Sequence, residues 1–220
     1  MQKMTLYGRI IPMKKKKSSV IKKTSVTKKT SFMKKADVIK FRVGKKKFEF
    51  LHPFRINLAC GQNKTKEFFG VDIAKAPGVD LVYDLERFPW PFPDNSVDEA
   101  FCNHYIEHTK DIIKFMDEVY RILRPGASIT IRAPYYNSMR AWQDPTHTRV
   151  ISEATFLYYN KEWRVINKMD HYPIKSDFDY TFSYNFMPDW AMRSEDARAF
   201  AIKHYTNVVS DIQIILTKRE

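Results

Sequence analysis

At 220 residues, with 44% hydrophobic and 15% aromatic residues, the chain has enough apolar surface for one globular domain plus an appendage. Its net charge of +13 is unevenly spread: residues 1–50 carry 17 lysines and arginines against two acids, whereas residues 51–220 carry 21 against 23. The basicity therefore belongs to a tail and not to the folded part, and no apolar run approaches the ~20 residues that span a bilayer.

The stretch from Met4 to Met13 is short and broken by Gly8 and Arg9, which does not fit a signal-peptide core. The basic residues that follow are nearly all lysine, unlike an arginine-rich mitochondrial presequence. Cys60 and Cys102 cannot build a disulfide framework and neither lies in a CxxC pair. A reduced, cytoplasmic setting is expected, with both thiols acting as small buried hydrophobes.

From Lys14 to Lys35 the sequence repeats lysine pairs with serine and threonine, so residues 1–50 are expected to form a lysine-rich, largely disordered tail. The run "FRVGKKKFEF" within it, Phe41 to Phe50, reads as a short strand or clamp leading into a domain spanning 51–220. Short strands are predicted at Arg55–Cys60, Phe69–Ile73, Val79–Tyr83 and Val97–Asn103. A helix follows over Thr109–Leu123, with Ile112, Met116, Val119 and Leu123 on one face, Thr109 as its N-cap and Pro125-Gly126 as its stop. Ala127–Ala133 is a fifth strand. Beyond it Ser152–Tyr159 reads as helical, Asp179–Phe186 as extended, Pro188–His204 as helical and Asp211–Lys218 as a closing strand. Alternation of this kind predicts an α/β domain with a doubly wound, mostly parallel sheet.

In such sheets ligands sit beyond the carboxyl ends of the strands. Gly61 follows the first of these strands, where a missing side chain lets a ligand approach the backbone. Asp72 lies at the end of the second, suited to accept hydrogen bonds from a ribose diol. Asp84 follows the third, placed to accept from an exocyclic amine, and Leu85 beside it is expected to cover the base.

The segments "INLACG" (Ile56 to Gly61), "GVDI" (Gly70 to Ile73), "DLERFPWPFPDNSVDEAFCNHYIEH" (Asp84 to His108) and "DEVYRILRPGASITIRAP" (Asp117 to Pro134) together resemble the class I S-adenosylmethionine-dependent methyltransferases of the type 11 group. The likeness covers roughly 53–150. It implies a Rossmann-like fold with S-adenosyl-L-methionine as cofactor. The backbone around Ala59, Cys60 and Gly61 would lie along the methionine part. Asp72 with Ile73 would hold the ribose, Asp84 and Leu85 would face the adenine, and Asn103 and His104 would stand beside the sulfonium. Two departures from the pattern stand out: Ala59 replaces a glycine, and only eight residues separate Gly61 from Gly70. A parallel crossover usually takes a dozen or more, so the usual helix must shrink to about a turn or vanish. Lys64 or Lys66 is placed either to pair with the methionine carboxylate or to remain a solvated loop lysine.

A hydroxyl acceptor needs a base, and the candidates are His147 with Asp144 orienting it, or His104. "HYIEH", His104 to His108, also matches an H-x-x-E-H zinc pattern. That pattern requires a helix, whereas His104 ends a strand, so no metal is expected. Amino-methylating DNA enzymes carry an (Asp/Asn)-Pro-Pro-aromatic turn after the fourth strand, where this chain has "NHYI". An oxygen of a small molecule or glycan is the expected acceptor. The alternatives are a nucleic-acid-binding protein with a methyltransferase-like fold, or an RNA- or DNA-directed methyltransferase recruited by the basic residues of 14–47 through non-specific polyanion contact.

Overall fold

The computed structural model describes residues 38–220. The expected disorder and polyanion contact of the first 37 residues lie outside the described residues. The elements in chain order are β1 (Val38–Val43), β2 (Lys46–Leu51), β3 (Arg55–Leu58), β4 (Phe69–Asp72), β5 (Leu81–Val82), β6 (Val97–Asn103), α1 (Ile112–Ile122), β7 (Leu123–Pro134), α2 (Lys161–Ile166), β8 (Phe178–Phe186), α3 (Pro188–Ala191), α4 (Glu195–His204) and β9 (Val209–Lys218).

Strands β3 to β9 form one sheet in the order β5-β4-β3-β6-β7-β9-β8 among the described residues. The pairs from β5 through β7 are parallel, and β9 runs antiparallel to both β7 and β8. The chain leaves β3 toward β4 and β5, then returns to place β6 on the opposite side of β3. The strand order therefore reverses between β3 and β6, and the loops leaving those two strands part there to open a crevice. Central strands buried on both faces read as continuous apolar runs. Ile56, Leu58, Val71, Cys102, Ile129, Ile131, Ile212, Ile214 and Leu216 all have no exposed surface.

The connection from Leu58 to Phe69 contains turns and no helix, in line with the short spacing read from the sequence. What covers this part of the sheet is a hairpin that the sequence reading assigned to the tail. β1 and β2 pair antiparallel around a turn at Gly44, where φ is +56°. An isolated hairpin is marginal in water; this one is anchored by its apolar face. Phe41 lies 5.1 Å from Phe92, Phe48 lies 5.6 Å from Phe69, and Phe50 lies 4.6 Å from Phe54, centroid to centroid. The domain boundary expected at residue 51 thus moves back to take in Val38 onward.

α1 is capped by Asp111, whose side chain accepts from the Lys114 N–H at 3.0 Å, and not by Thr109 as expected. Thr109 is buried. Phe115, Met116, Val119 and Ile122 face the core. The strand after it begins at Leu123 and includes Pro125-Gly126. The segment read as one helix from Pro188 to His204 is two, α3 and α4, separated at Met192–Ser194, with Ser194 capping the second. The segment read as helical from Ser152 to Tyr159 is a 3-10 helix, Glu153–Tyr159, with Ser152 at its N-cap. No helix among the described residues is long and apolar enough to cross a membrane.

Candidate functional site

β3 ends in a tight turn made by Ala59 and Gly61, both with positive φ (+49° and +53°). A Cβ on Gly61 would meet no atom within 4 Å, so the glycine is there for its backbone conformation and for the open space beside it. That space is a hollow of about 200 Å³ lined by Asn57, Ala59, Cys60, Gly61, Gln62, Asn63, Phe101 and Asn103. The turn is braced from below, since the buried Asn57 accepts from the Thr65 N–H at 2.8 Å. Burial and the nearby Asp72 carboxylate push the Cys60 thiol above its ordinary range.

Asp72 closes β4. Its Oδ2 accepts from the Gly61 N–H at 2.7 Å and its Oδ1 from the Ala74 N–H at 2.9 Å. Each carboxylate oxygen keeps a further acceptor site. The next residue, Ile73, opens a second hollow of about 420 Å³, lined also by Val43, Val82, Tyr83, Asp84 and Arg87. Ile73 and Val82 are 68% and 50% exposed, which leaves two apolar side chains without a cover at the mouth of a slot. Asp72 therefore joins the two hollows, bonded to the lining of one and adjacent in sequence to the lining of the other.

Asp84 starts a turn, its Oδ1 accepting from the Glu86 N–H at 3.0 Å and its Oδ2 lying 3.5 Å from Arg87 Nε. Leu85 does not face the slot as expected. It is 3% exposed, and its carbonyl accepts from the buried Trp90 indole at 3.0 Å, which turns the side chain into the core. Nor does Lys64 stand free or aim at the crevice: its Nζ lies 2.8 Å from Asp80 Oδ2, the atom that also accepts from the Gly70 N–H.

Asn103 ends β6 and lines the first hollow. His104 follows with φ +52°, which swings its ring out of the strand direction. Its Nδ1 lies 3.2 Å from Glu107 Oε1 and its Nε2 lies 3.7 Å from Asp211 Oδ1, the latter on β9. Both carboxylates are buried, at 2% and 7% exposure. Asp211 is held by Arg140 Nη1 at 3.0 Å and by the Ser210 hydroxyl at 3.0 Å, both on Oδ2, so Oδ1 has no hydrogen-bond partner. Sequence reading missed Asp211 because β9 reaches β7, and so the crevice, only through the topology.

His147 sits deeper than an exposed turn tail, with 9% of its side chain accessible. Its Nδ1 is 2.9 Å from the Ala141 carbonyl, and Asp144 Oδ2 is 3.9 Å from Nε2. The orienting group on Nδ1 is thus a backbone carbonyl and not Asp144. His147 packs edge-to-face on His108, centroids 4.7 Å apart. Among the aromatic residues of the C-terminal half, Phe156, Tyr159 and Phe178 are at most 3% exposed, Tyr180, Phe182, Tyr184, Phe186 and Trp190 are partly buried against the core, and Tyr172, Phe200 and Tyr205 are exposed.

Residues 58–131 match the family model of a methyltransferase domain. The chain is 32% identical over 89 residues to a 2-phytyl-1,4-naphtoquinone methyltransferase of Nostoc punctiforme, covering 38% of this chain and 39% of that protein. It is 34% identical over 86 residues to a Mycolicibacterium smegmatis protein named "Probable S-adenosylmethionine-dependent methyltransferase", covering 37% and 33%. The match thus spans about a third to two-fifths of the length of these relatives. The fold is similar to that of a SAM-dependent methyltransferase from Archaeoglobus fulgidus, with a TM-score of 0.53 at 18% identity over 76% of this chain and 87% of that one.

Proposed function

We propose that this chain, a member of the class I S-adenosylmethionine-dependent methyltransferases, transfers the methyl group to a hydroxyl of a small-molecule acceptor. The observation that carries the reading is Asp72 bridging two hollows at the point where strand order reverses. A nucleoside fused to an amino acid needs such a pair of compartments. The residues present fit it: Gly61 leaves its side of the turn open, Asp72 retains acceptor sites for a diol, and the bare faces of Ile73 and Val82 offer a slot for a flat base. Asp84, lining that slot, is placed to accept from an exocyclic amine.

S-adenosylmethionine, when bound, supplies an electrophilic methyl on a sulfonium. The chain's task is then to fix the acceptor in line with that methyl, a positioning effect worth up to ~7–11 kcal/mol. His104 is the group we assign to the acceptor's proton. Its Nδ1–H donates to Glu107 Oε1, which leaves Nε2 to receive the proton. Asp211 Oδ1, without another partner, faces Nε2 and accepts from the N–H so formed. The two buried carboxylates thus hold the ring in place, and a positioned general base typically contributes ~10²–10⁴-fold. His147 groups with Glu107 and His108, with Asp144 3.9 Å from its Nε2, and we assign the proton to His104 in preference to this pair because two carboxylates flank the His104 ring. A relative named for a naphthoquinone supports a small-molecule acceptor here.

The test is a thermal-shift comparison. S-adenosylmethionine and S-adenosylhomocysteine at about 100 times Kd should each stabilise the full chain by ~2.7 kcal/mol, while NAD and ATP leave it unmoved. Equal shifts from NAD or ATP, or none from either sulfur nucleoside, would remove the assignment.

A further inference from the structure

We infer that Glu107, His108 and His147 form a binding site for a divalent metal ion of the zinc type, next to the acceptor end of the crevice. Each of the three offers a ligand atom within 4.8 Å of the other two. Only Glu107 and His108 come from the H-x-x-E-H run. The second imidazole is supplied by His147, brought in from a loop 39 residues further along the chain.

The protonation pattern of the two rings is set by their neighbours. Thr146 Oγ1 gives its one proton to Asp144 Oδ1 at 2.7 Å, so toward His108 Nδ1, 3.0 Å away, it can only accept. His147 Nδ1 faces the Ala141 carbonyl, which likewise only accepts. Both Nδ1 atoms therefore carry protons, and both Nε2 lone pairs are left for a ligand. Metal-binding histidines are oriented in this way, by an outer acceptor on the other ring nitrogen.

The carboxylate adds an independent observation. Glu107 is 2% exposed; Oε1 serves His104, and Oε2 is buried without any hydrogen-bond partner. A buried anionic oxygen with no donor is costly, and a cation relieves it. Two imidazoles and one carboxylate are a zinc ligand set that keeps a position open. Asp144 Oδ2, 3.9 Å from His147 Nε2, stands on the same side as a further oxygen.

The frame holding these groups is rigid. The Glu107 carbonyl accepts from both the N–H and the hydroxyl of Thr148, at 2.8 and 3.1 Å, and the same hydroxyl reaches the Thr109 carbonyl at 3.0 Å. Zinc bonds of ~2.0–2.1 Å put tetrahedral ligand atoms ~3.3 Å apart, so from separations of at most 4.8 Å the side chains must close by up to ~1.5 Å. Metal on Oε2 would fix Glu107 and, through Oε1, the ring of His104. That effect rests on the methyl-transfer reading; the metal site itself does not.

The experiment uses the full chain without a histidine tag, stripped with EDTA and titrated calorimetrically with Zn²⁺, then with Co²⁺ and Mg²⁺. We expect one Zn²⁺ per chain, visible d–d bands for Co²⁺, and no binding of Mg²⁺, which prefers an all-oxygen shell. His108→Ala and His147→Ala should each weaken zinc by at least ~100-fold and Glu107→Gln by ~10–100-fold, with S-adenosylmethionine affinity of the two histidine variants changed by no more than a few-fold. Should a variant not fold, the wild-type chain still decides, because Zn²⁺ must protect His108 and His147 from diethylpyrocarbonate. Absence of stoichiometric zinc, unprotected histidines, or undiminished zinc binding in folded His108→Ala and His147→Ala proteins would overturn the site. Loss of S-adenosylmethionine binding with zinc binding intact would sink the methyl-transfer reading alone.

Discussion

Replacing Asp72 with alanine removes the group that spans the two hollows. In the free protein its carboxylate accepts from the Gly61 and Ala74 N–H groups at 2.7 and 2.9 Å, and in the complex it would also accept from two ribose hydroxyls. A hydrogen bond to a charged group contributes about 1.5–3 kcal/mol, so losing both hydroxyl contacts weakens S-adenosylmethionine by ~3–6 kcal/mol. Since 1.4 kcal/mol is tenfold, that is on the order of 10²- to 10⁴-fold. Asp72→Asn keeps one acceptor oxygen and the shape of the side chain, and should fall between wild type and Asp72→Ala. Isothermal calorimetry reads the affinity, and circular dichroism with a thermal melt checks that each variant is folded. A folded Asp72→Ala protein binding the cofactor within about fivefold of wild type would refute the reasoning.

Phe41→Ala should be among the more damaging changes in the hairpin, since the ring packs on Phe48, Phe54, Phe69 and Phe92. A cost of ~3–5 kcal/mol corresponds to a melting temperature lower by roughly 6–20 °C for a domain of this size; a drop under about 3 °C would mean that the hairpin is not integral to the fold. Asp111→Ala should cost ~1 kcal/mol through loss of the α1 cap. The bonds from Lys114 hold the Asp111 carboxyl below its ordinary value. Its contribution is therefore complete above the unfolded pKa of ~3.9 and fades as pH falls through the lower folded value, so acid unfolding curves of wild type and Asp111→Ala should converge. Cys60, its thiol raised by burial, should react with iodoacetamide more slowly at pH 8 than a free cysteine, its thiolate forming at higher pH than the ordinary ~8.5. Alkylation as fast as that of glutathione would contradict the buried setting.

Much of the sheet was legible because central strands must be apolar on both faces. "INL", "GVD", "AFC" and "ITI" could be read as strands from composition alone, and the acids and glycine at their ends followed. The hairpin was read only as one short strand or clamp within the tail, because its outward positions are lysines (Lys40, Lys45, Lys46, Lys47) that continue the charge pattern of the preceding tail. Alternation of Ile39, Phe41 and Val43 with exposed residues was the available signal. Leu85 was misplaced because nothing local shows that the Trp90 indole will claim its carbonyl. The helix cap moved from Thr109 to Asp111 because the Thr148 clamp draws Thr109 inward. Asp211 beside His104 and His147 beside His108 are pairings across 107 and 39 residues, and only the closed sheet and its loops create them. Spacing in a single sequence carries no trace of such contacts.

The most direct measurement is a crystal structure of the full chain with S-adenosylhomocysteine. The account predicts the homocysteine part along Ala59–Gly61, both ribose hydroxyls on Asp72, and the adenine between Ile73 and Val82 with Asp84 at its amine. Density for the nucleoside anywhere other than this edge of the sheet, or a ribose that does not touch Asp72, would contradict it.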